Sequence, residues 1–415
     1  MLSYFTILAN LVNNFVDPLS KKCYIIKPMQ IGVGFSLNND HIKAAQEAFN
    51  EAASAINRRK PDLALLFNTT KLSHPLVLKT IRDSLGDIPL LGLSSPSIIV
   101  NQGSYKNGLA IALFSFPEDI YFNTTCVKEV SENNASTLGE KLGEDLLYGC
   151  KGIRRNLSII FLDGQIPEGE NIIFGMQKKV GRSFPMVGAS TLGPIYFNNS
   201  ILNNAACGIL FGGKLNFGLG VKHGWQPLGK PRRITLSLGN TAQEIDNKPA
   251  ASLYQEYFAR DSASLRNDLK HISPFYPLGI DISGKKEYLL RSLSSIGESG
   301  SLAFNGDIPQ GSRIRLMISS KDYCLESTRQ AAELAKASLR NQKAKFVLVF
   351  NSFARFMLLG RQENAGIDVI KNVFGADVPI LGAYTLAEEA PLNSTDYLGI
   401  PYFHNNSIAI LAMAG

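Results

Sequence analysis

One phrase occurs three times in this chain: IPLLGLSS at 88–95, FPMVGAST at 184–191 and VPILGAYT at 378–385. Each copy reads apolar, Pro, two apolar residues, Gly, another apolar residue, then two positions bearing hydroxyls. A fold for this chain must therefore repeat a unit. The repeat extends well upstream of the phrase. Before each copy lies a short apolar run, LALLFN at 63–68, SIIFLD at 158–163 and FVLVFN at 346–351, with Phe67, Phe161 and Phe350 in register. Continuous apolar runs of this length, bounded by polar residues, predict strands buried on both faces.

Between run and phrase the spacing predicts a helix in HPLVLKTIRDSLG, EGENIIFGMQKKVG and RQENAGIDVIKNVFG, two of them stopping at a glycine just before the Pro-containing strand, as a helix C-cap should. Further upstream a strand and a helix recur: IGVGFSL before DHIKAAQEAFNEAASAINRR, YFNTTCV before NASTLGEKLGEDLLYG, and RIRLMIS before LESTRQAAELAKASLRNQ. After each phrase comes one more strand, GLAIALFSF, ACGILFGG or SIAILAMAG. The expectation is an α/β fold of layered sheets, with three drifted strand-helix-strand-helix-strand-strand units in two domains. The intervening stretch from about 215 to 310 predicts shorter β segments interrupted by the helix NKPAASLYQEYFARD. Polar NTAQEIDNK sets a boundary near 245, giving domains 29–245 and 246–415. Residues 1–28 read as an extension, either a peripheral helix or sequence upstream of a start at Met29.

Composition limits the function classes. With 45% hydrophobic and 19% charged residues, the chain is neither disordered nor a bundle of membrane helices. The excess of 42 basic over 35 acidic residues is scattered as singles and pairs, without the concentrated basic face that nucleic acid requires. Cys23, Cys126, Cys150, Cys207 and Cys324 contain no C-x-x-C pair and suit reduced thiols, hence a cytoplasmic protein. The segment 32–37 lacks the third glycine of a dinucleotide fingerprint, GASTLG misses a nucleophile elbow by one residue, and no GK[ST] loop occurs. His41, His74, His223, His271 and His404 are too dispersed for metal-ligand spacing. A non-enzyme is expected.

Glycine followed by hydroxyls at a strand exit permits close approach and hydrogen bonding beyond the carboxyl edge of a sheet, where α/β folds bind ligands. Ser94 with Ser95, Ser190 with Thr191, and Tyr384 with Thr385 are the aligned pairs; the ordinary alternative for such residues is turn and helix capping. The third copy adds Arg355 beyond its run and Glu388 and Glu389 beyond its phrase. If both exits share one edge, the guanidinium suits a carboxylate and the Glu an ammonium, which makes an amino-acid-like pocket. The alternative is an Arg355–Glu388 salt bridge with no ligand. His404 and His223 each border β segments with aromatics nearby.

The segments YPLGI, YLLRSL, SLAFNGDIPQGSRIRLM, FNSFAR, VPILGAYTLAEEAP and FHNNSIAIL together resemble the C-terminal domain of FIST sensory proteins, and PDLALLF, IPLLGLSS and 225–258 resemble their N-terminal domain. The resemblance implies a cytoplasmic small-ligand sensor acting on a separate signalling protein. It also implies an alternative: a haem-binding nitric-oxide sensor that regulates a histidine kinase or a cyclic-di-GMP enzyme, such as a diguanylate cyclase or phosphodiesterase, with His404 as the preferred iron ligand. Arg355, Tyr384, Thr385 and Glu388 match the family pattern. Ser352 stands where the family usually has Cys, Ala387 replaces a Gly, and Ile98 takes the usual Glu position of the N-terminal domain. The expected ligand site is therefore Arg355, Glu388, Tyr384, Thr385, Ser352, Ser190 and Thr191, with no cofactor in the first reading and haem in the second.

Overall fold

The computed structural model describes residues 28–164, 166, 169–282, 288–392 and 399–415, and the backbone of 14–16 and 23–25, which pair as a short antiparallel ladder. The remainder of the 1–28 extension lies outside the described residues, apart from Pro28.

The three units form three separate six-stranded sheets around one core. At the centre of each is the predicted apolar run, Leu63–Thr69, Arg155–Asp163 or Phe346–Ser352, paired in parallel with its phrase strand, Leu90–Ser95, Met186–Thr191 or Ile380–Thr385. On its other side each central strand pairs antiparallel with the strand after the phrase, Leu109–Ser115, Ala206–Gly213 or Ile408–Ala414. The in-register phenylalanines meet at the middle. Ring centroids of Phe67, Phe161 and Phe350 lie 6.0, 6.3 and 6.0 Å apart, so they mark a pseudo-threefold axis through a core to which all three sheets give their inner faces.

The sheets are completed by exchange, which the sequence pattern does not reveal. After its phrase each unit sends a strand to a neighbour. Ile98–Val100 from unit one pairs with the phrase strand of unit three, Ile195–Phe197 from unit two with that of unit one, and Ala387–Pro391 from unit three with that of unit two. The exchange is cyclic. The phrase glycines Gly92, Gly188 and Gly382 sit where an added Cβ would press on the carbonyl of the neighbouring central strand, at 1.8, 2.2 and 2.6 Å.

One expected assignment is overturned. RIRLMIS does not open the third unit: Arg313–Ile318 pairs with Gln226–Leu238 and Leu278–Asp281 in a separate eight-stranded sheet. The unit's first strand is Asn216–Lys222, paired with Ile408–Ala414. Gly218 and Gly220 of this strand lie against the carbonyls of Ala335 and Ala331 in helix Lys321–Ala337, as Gly32 and Gly34 lie against Ala52 and Ala48 in helix His41–Ala55. The strand and its helix are equivalent to those of unit one but are separated by roughly a hundred residues. Intervening residues 226–318 build an inserted layer with its own core, including Ile234, Leu278, Phe304 and Ile314. Periodicity cannot detect such an insertion, because RIRLMIS is a genuine strand immediately before the helix. Unit three is thus split, and the boundary expected near 245 falls within the insert.

The helices behave as their ends predict. Asp40 accepts from the amides of Ile42 and Lys43 at 3.0 and 3.1 Å, and Ser320 accepts from Tyr323 N at 3.2 Å, each satisfying amides that a first turn leaves unpaired. The insert is tied down by a buried pair: Arg291 donates to both carboxylate oxygens of Glu170 at 2.9 and 3.1 Å and to the Phe403 carbonyl at 2.7 Å.

Candidate functional site

The thrice-written hydroxyls turn the chain. Ser95 Oγ donates to the carbonyls of Ser97 and Tyr384 at 2.9 and 2.7 Å, holding the loop that carries unit one to unit three. Thr191 Oγ1 donates to the Gly193 carbonyl, and Pro194 O accepts from Ser94 N at 2.9 Å. Thr385 Oγ1 donates to Glu388 at 2.7 Å, and Leu386 N donates to the Ser190 carbonyl at 2.9 Å. All three copies fasten the crossover to the neighbouring sheet, the turn role that Ser and Thr commonly fill.

Arg355 is fully buried, and its five N–H donors are all engaged. They reach Asn351 Oδ1 at 2.8 Å, the carbonyls of His223 and Cys324 at 2.7 and 2.8 Å, and the hydroxyls of Ser327 and Thr328 at 2.8 and 2.6 Å. None of these acceptors is a carboxylate, and no Arg355 N–H is left over for a ligand. The alternative Arg355–Glu388 salt bridge does not form, because the guanidinium is spent on these partners. Glu388 is equally buried and accepts from Thr385 Oγ1 at 2.7 Å, Ser407 Oγ at 2.6 Å and Ser407 N at 3.2 Å. Burial pushes its carboxyl up to about 8, against those hydrogen bonds and the nearby Arg355.

The two residues nevertheless back onto one cavity. A pocket of about 640 Å³ opens beyond the carboxyl ends of Phe346–Ser352 and Asn216–Lys222, with Ser327, Ser407, His223 and His404 among its walls. Arg355 touches it through Ser327, and Glu388 through Ser407. Both stems of the insert contribute: Lys222 to Pro227 on the outgoing side, Arg315 on the returning side, and Glu326 from the helix that follows. The volume is that of a small-molecule site, placed where open α/β sheets bind ligands.

Tyr384 is buried with its ring 4.7 Å from Phe356, and burial raises its phenol. Ser352 is buried and donates its amide to the Ser407 carbonyl at 2.8 Å. Ser190 and Thr191 belong to a different exit, beside Glu389, and do not join the cavity. Ser190 Oγ approaches Glu389 at 3.4 Å, while the second oxygen of that carboxyl has no partner; burial, then the adjacent Glu388, drives its titration well above the ordinary range. Ile98 and Glu388 hold equivalent places, pairing with Ala383 and Ala189 of their respective phrase strands. The glutamate position thus survives at one crossover and is apolar at another.

For haem, the geometry of His404 is unfavourable. Its Nε2 lies 2.9 Å from the Ala390 carbonyl, so this nitrogen carries the proton and only Nδ1 keeps a lone pair. His223 Nδ1 accepts from Trp225 N at 2.8 Å. Burial lowers His404 to about 4 and His223 to about 3, so both are neutral at pH 7. Of the two, His404 keeps a lone pair on Nδ1, the one nitrogen through which it could reach an iron. Among the described residues, no cluster of three or more His, Cys, Asp or Glu could hold a metal ion.

Comparison with known proteins places this arrangement in a family. The FIST N domain profile matches residues 62–248 and the FIST C domain profile matches residues 250–391. The chain belongs to the FIST family. FIST domains are signalling-associated small-ligand sensor domains. An uncharacterized protein of Methanocaldococcus jannaschii is 26% identical over 303 residues, 64% of this FIST chain and 56% of that relative, so the match spans little more than half of the relative's length. Among solved structures, a cyanuric acid hydrolase from A. caulinodans aligns at 8% identity and TM-score 0.37, over 93% of this chain and 99% of that one. Phosphoribosylformylglycinamidine synthase II from Thermotoga maritima aligns at 9% and 0.22, over 98% and 76%. Likenesses this remote carry nothing over to the FIST chain. Among its described residues, no helix is long and apolar enough to cross a membrane.

Sequence reasoning missed Ser327, Ser407, Lys222 and Arg315 as parts of the site. Their signal is topological: they lie at the two stems of an insertion and on the strand that follows an exchanged hairpin.

Proposed function

We propose that this FIST protein is a cytoplasmic sensor of a small zwitterionic, amino-acid-like ligand, and that a separate signalling protein, such as a histidine kinase or a diguanylate cyclase or phosphodiesterase, reads its state. The observation that carries the reading is the cavity beside the paired stems of the insert, which sets Lys222 and Arg315 in the same walls as Ser327, Ser407 and Glu326. Cationic side chains attract a ligand carboxylate, and hydroxyls and Glu326 offer acceptors for its amine. Arg355 and Glu388 act from behind, holding Ser327 and Ser407 in place.

A ligand filling the cavity would touch the three-sheet body and the insert together, and would favour whichever disposition of the two it fits best. That differential contact is the signal; it needs no bond-making step. Isothermal titration against the common amino acids tests it. Binding of at least one, weakened tenfold or more in Lys222→Ala or Arg315→Ala, is the expected result. Binding unchanged in both variants, or no binding to the whole panel, rejects the site. A Soret band on haemin addition that disappears in His404→Ala would replace this reading with the haem one.

A further inference from the structure

The acceptors and donors in the cavity wall are unequally committed. Ser327 Oγ donates to the Cys324 carbonyl at 2.8 Å and accepts from Arg355 at 2.8 Å, which leaves only a lone pair for the cavity. His404 gives its one proton to Ala390 O, so its other nitrogen can only accept. Ser407 is the variable member. With Glu388 ionised, its hydroxyl proton is drawn to Oε2 at 2.6 Å and its lone pairs remain for a ligand. With Glu388 protonated, one hydroxyl facing that carboxyl must turn away. Thr385 and Ser407 both face it, and Ser407 is the one that lines the cavity described above. Whether Ser407 donates or accepts is therefore set by the proton on Glu388.

Three donors converge on the two oxygens of Glu388, an arrangement suited to the carboxylate, while burial opposes the charge, so the group is poised between its two forms near pH 8. The other charged or titratable groups around it are Arg355 from the helix after Phe346–Ser352, His404 on the paired strand, His223 at the end of Asn216–Lys222, and Glu389 on its own strand. Arg355 is cationic, the histidines are neutral at pH 7, and burial, then Glu388, drives Glu389 well above the ordinary carboxyl range. Glu388 is the member whose midpoint lies near neutral pH.

We propose that the cavity takes a primary ammonium group against Ser407, with the ligand's carboxylate toward Lys222 and Arg315, and that docking the ammonium expels the Glu388 proton to solvent. This rests on the amino-acid-like reading of the same cavity. The balance is simple: neutral carboxyl plus bound R–NH3⁺ gives carboxylate, hydrogen-bonded through Ser407 to R–NH3⁺, plus one released proton. Affinity then rises with pH until Glu388 is already ionised in the free protein, by about tenfold per pH unit below the Glu388 midpoint.

The test is calorimetry with whichever common amino acid binds, run in HEPES and in Tris at pH 7 and pH 8.5, where the ligand ammonium is still mostly protonated. The difference in heat between buffers gives the number of protons exchanged. About one proton released at pH 7 and clearly less at pH 8.5 is expected. Glu388→Gln should bind with neither proton release nor this pH dependence, and an infrared band of a protonated buried carboxyl should be bleached by ligand in the natural protein and be missing from the variant. Ser407→Ala gives a second route, removing the coupling while leaving Lys222 and Arg315 intact. Binding with no proton exchange, or with proton uptake at pH 7, overturns the proposal and leaves the sensor reading standing. Failure of every amino acid to bind overturns both.

Discussion

Units one and three present the same strand exit with opposite outcomes. At the first, Asn68, Ser94 and Tyr196 share the helix-facing side of the sheet with His74. Asn68 Nδ2 donates to His74 Nδ1 and to the Tyr196 hydroxyl, both at 3.2 Å, and burial lowers the imidazole, so every member is neutral. At the third, Asn351 takes the place of Asn68 and receives Arg355, whose charge is held by four further acceptors. The difference between them lies in the connection. Unit one passes from Gln30–Ser36 to helix His41–Ala55 in four residues. Unit three places the whole insert at the same junction, where its two stems pair, Gln226 with Ile318 and Pro227 with Met317, beside the cavity. The scaffold is shared; the opening is made by what is inserted.

The largest expected effect tests whether the exits are as unlike as they look. Arg355→Ala removes five hydrogen bonds and leaves buried acceptors unpaired. It should cost about 3–5 kcal/mol in urea denaturation, the scale for breaking a buried polar network, against about 1–2 kcal/mol for His74→Ala. Equal losses would show that the two exits bear similar weight. The equivalence of the units themselves is tested at the axis. Phe67→Ala, Phe161→Ala and Phe350→Ala should each cost about 3–5 kcal/mol, and a large disparity would mean that the pseudo-threefold core is not shared evenly.

A pH scan sharpens the comparison at the crossovers. Glu388 titrates higher in the folded chain than in the unfolded one, so between its ordinary value of 4.5 and about 8 the native state holds more protons and stability falls as pH rises. His404 and His223 act with the opposite sign: lowered on folding, they cost stability as pH falls from 6.5 toward their native values. Glu388→Gln should therefore flatten the loss of Tm between pH 6 and pH 9, leave the acid limb intact, and bring this crossover closer in behaviour to its Ile98 counterpart. A variant with the same alkaline slope as the natural protein would show that another group is responsible. The smallest effect concerns the helices after the central strands. Gly366, in Ala365–Phe374, has open space where a Cβ would go, so Gly366→Ala should stabilise by about 0.5–1 kcal/mol; a loss would place a neighbour where none is seen.

Much of the scaffold was legible because each element carries a local signal. The apolar runs, their glycine-ended helices and the register of the three phenylalanines were all readable as pattern. What the pattern lacked was partnership. Nothing in IIV at 98–100 or AEEAP at 387–391 tells which phrase strand it will pair with, because edge pairing is decided by the completed core and not by the segment itself. The site was half legible for the same reason. Arg355 and Glu388 do converge, but the residues between them and the cavity, Ser327 and Ser407, are ordinary serines that acquire a role only through the crossover and the insert.

The cyclic hand-off of strands has a cost during synthesis. The segment 98–105 leaves the ribosome nearly three hundred residues before its partner at 380–385, and the edge at 186–191 waits about two hundred residues for 387–391. Until the C-terminus emerges, two open edges stay exposed to foreign strands, so this chain should fold late and slowly and depend on protection while nascent. Loss of even its last thirty residues should leave the sheets of units two and three unfinished at once.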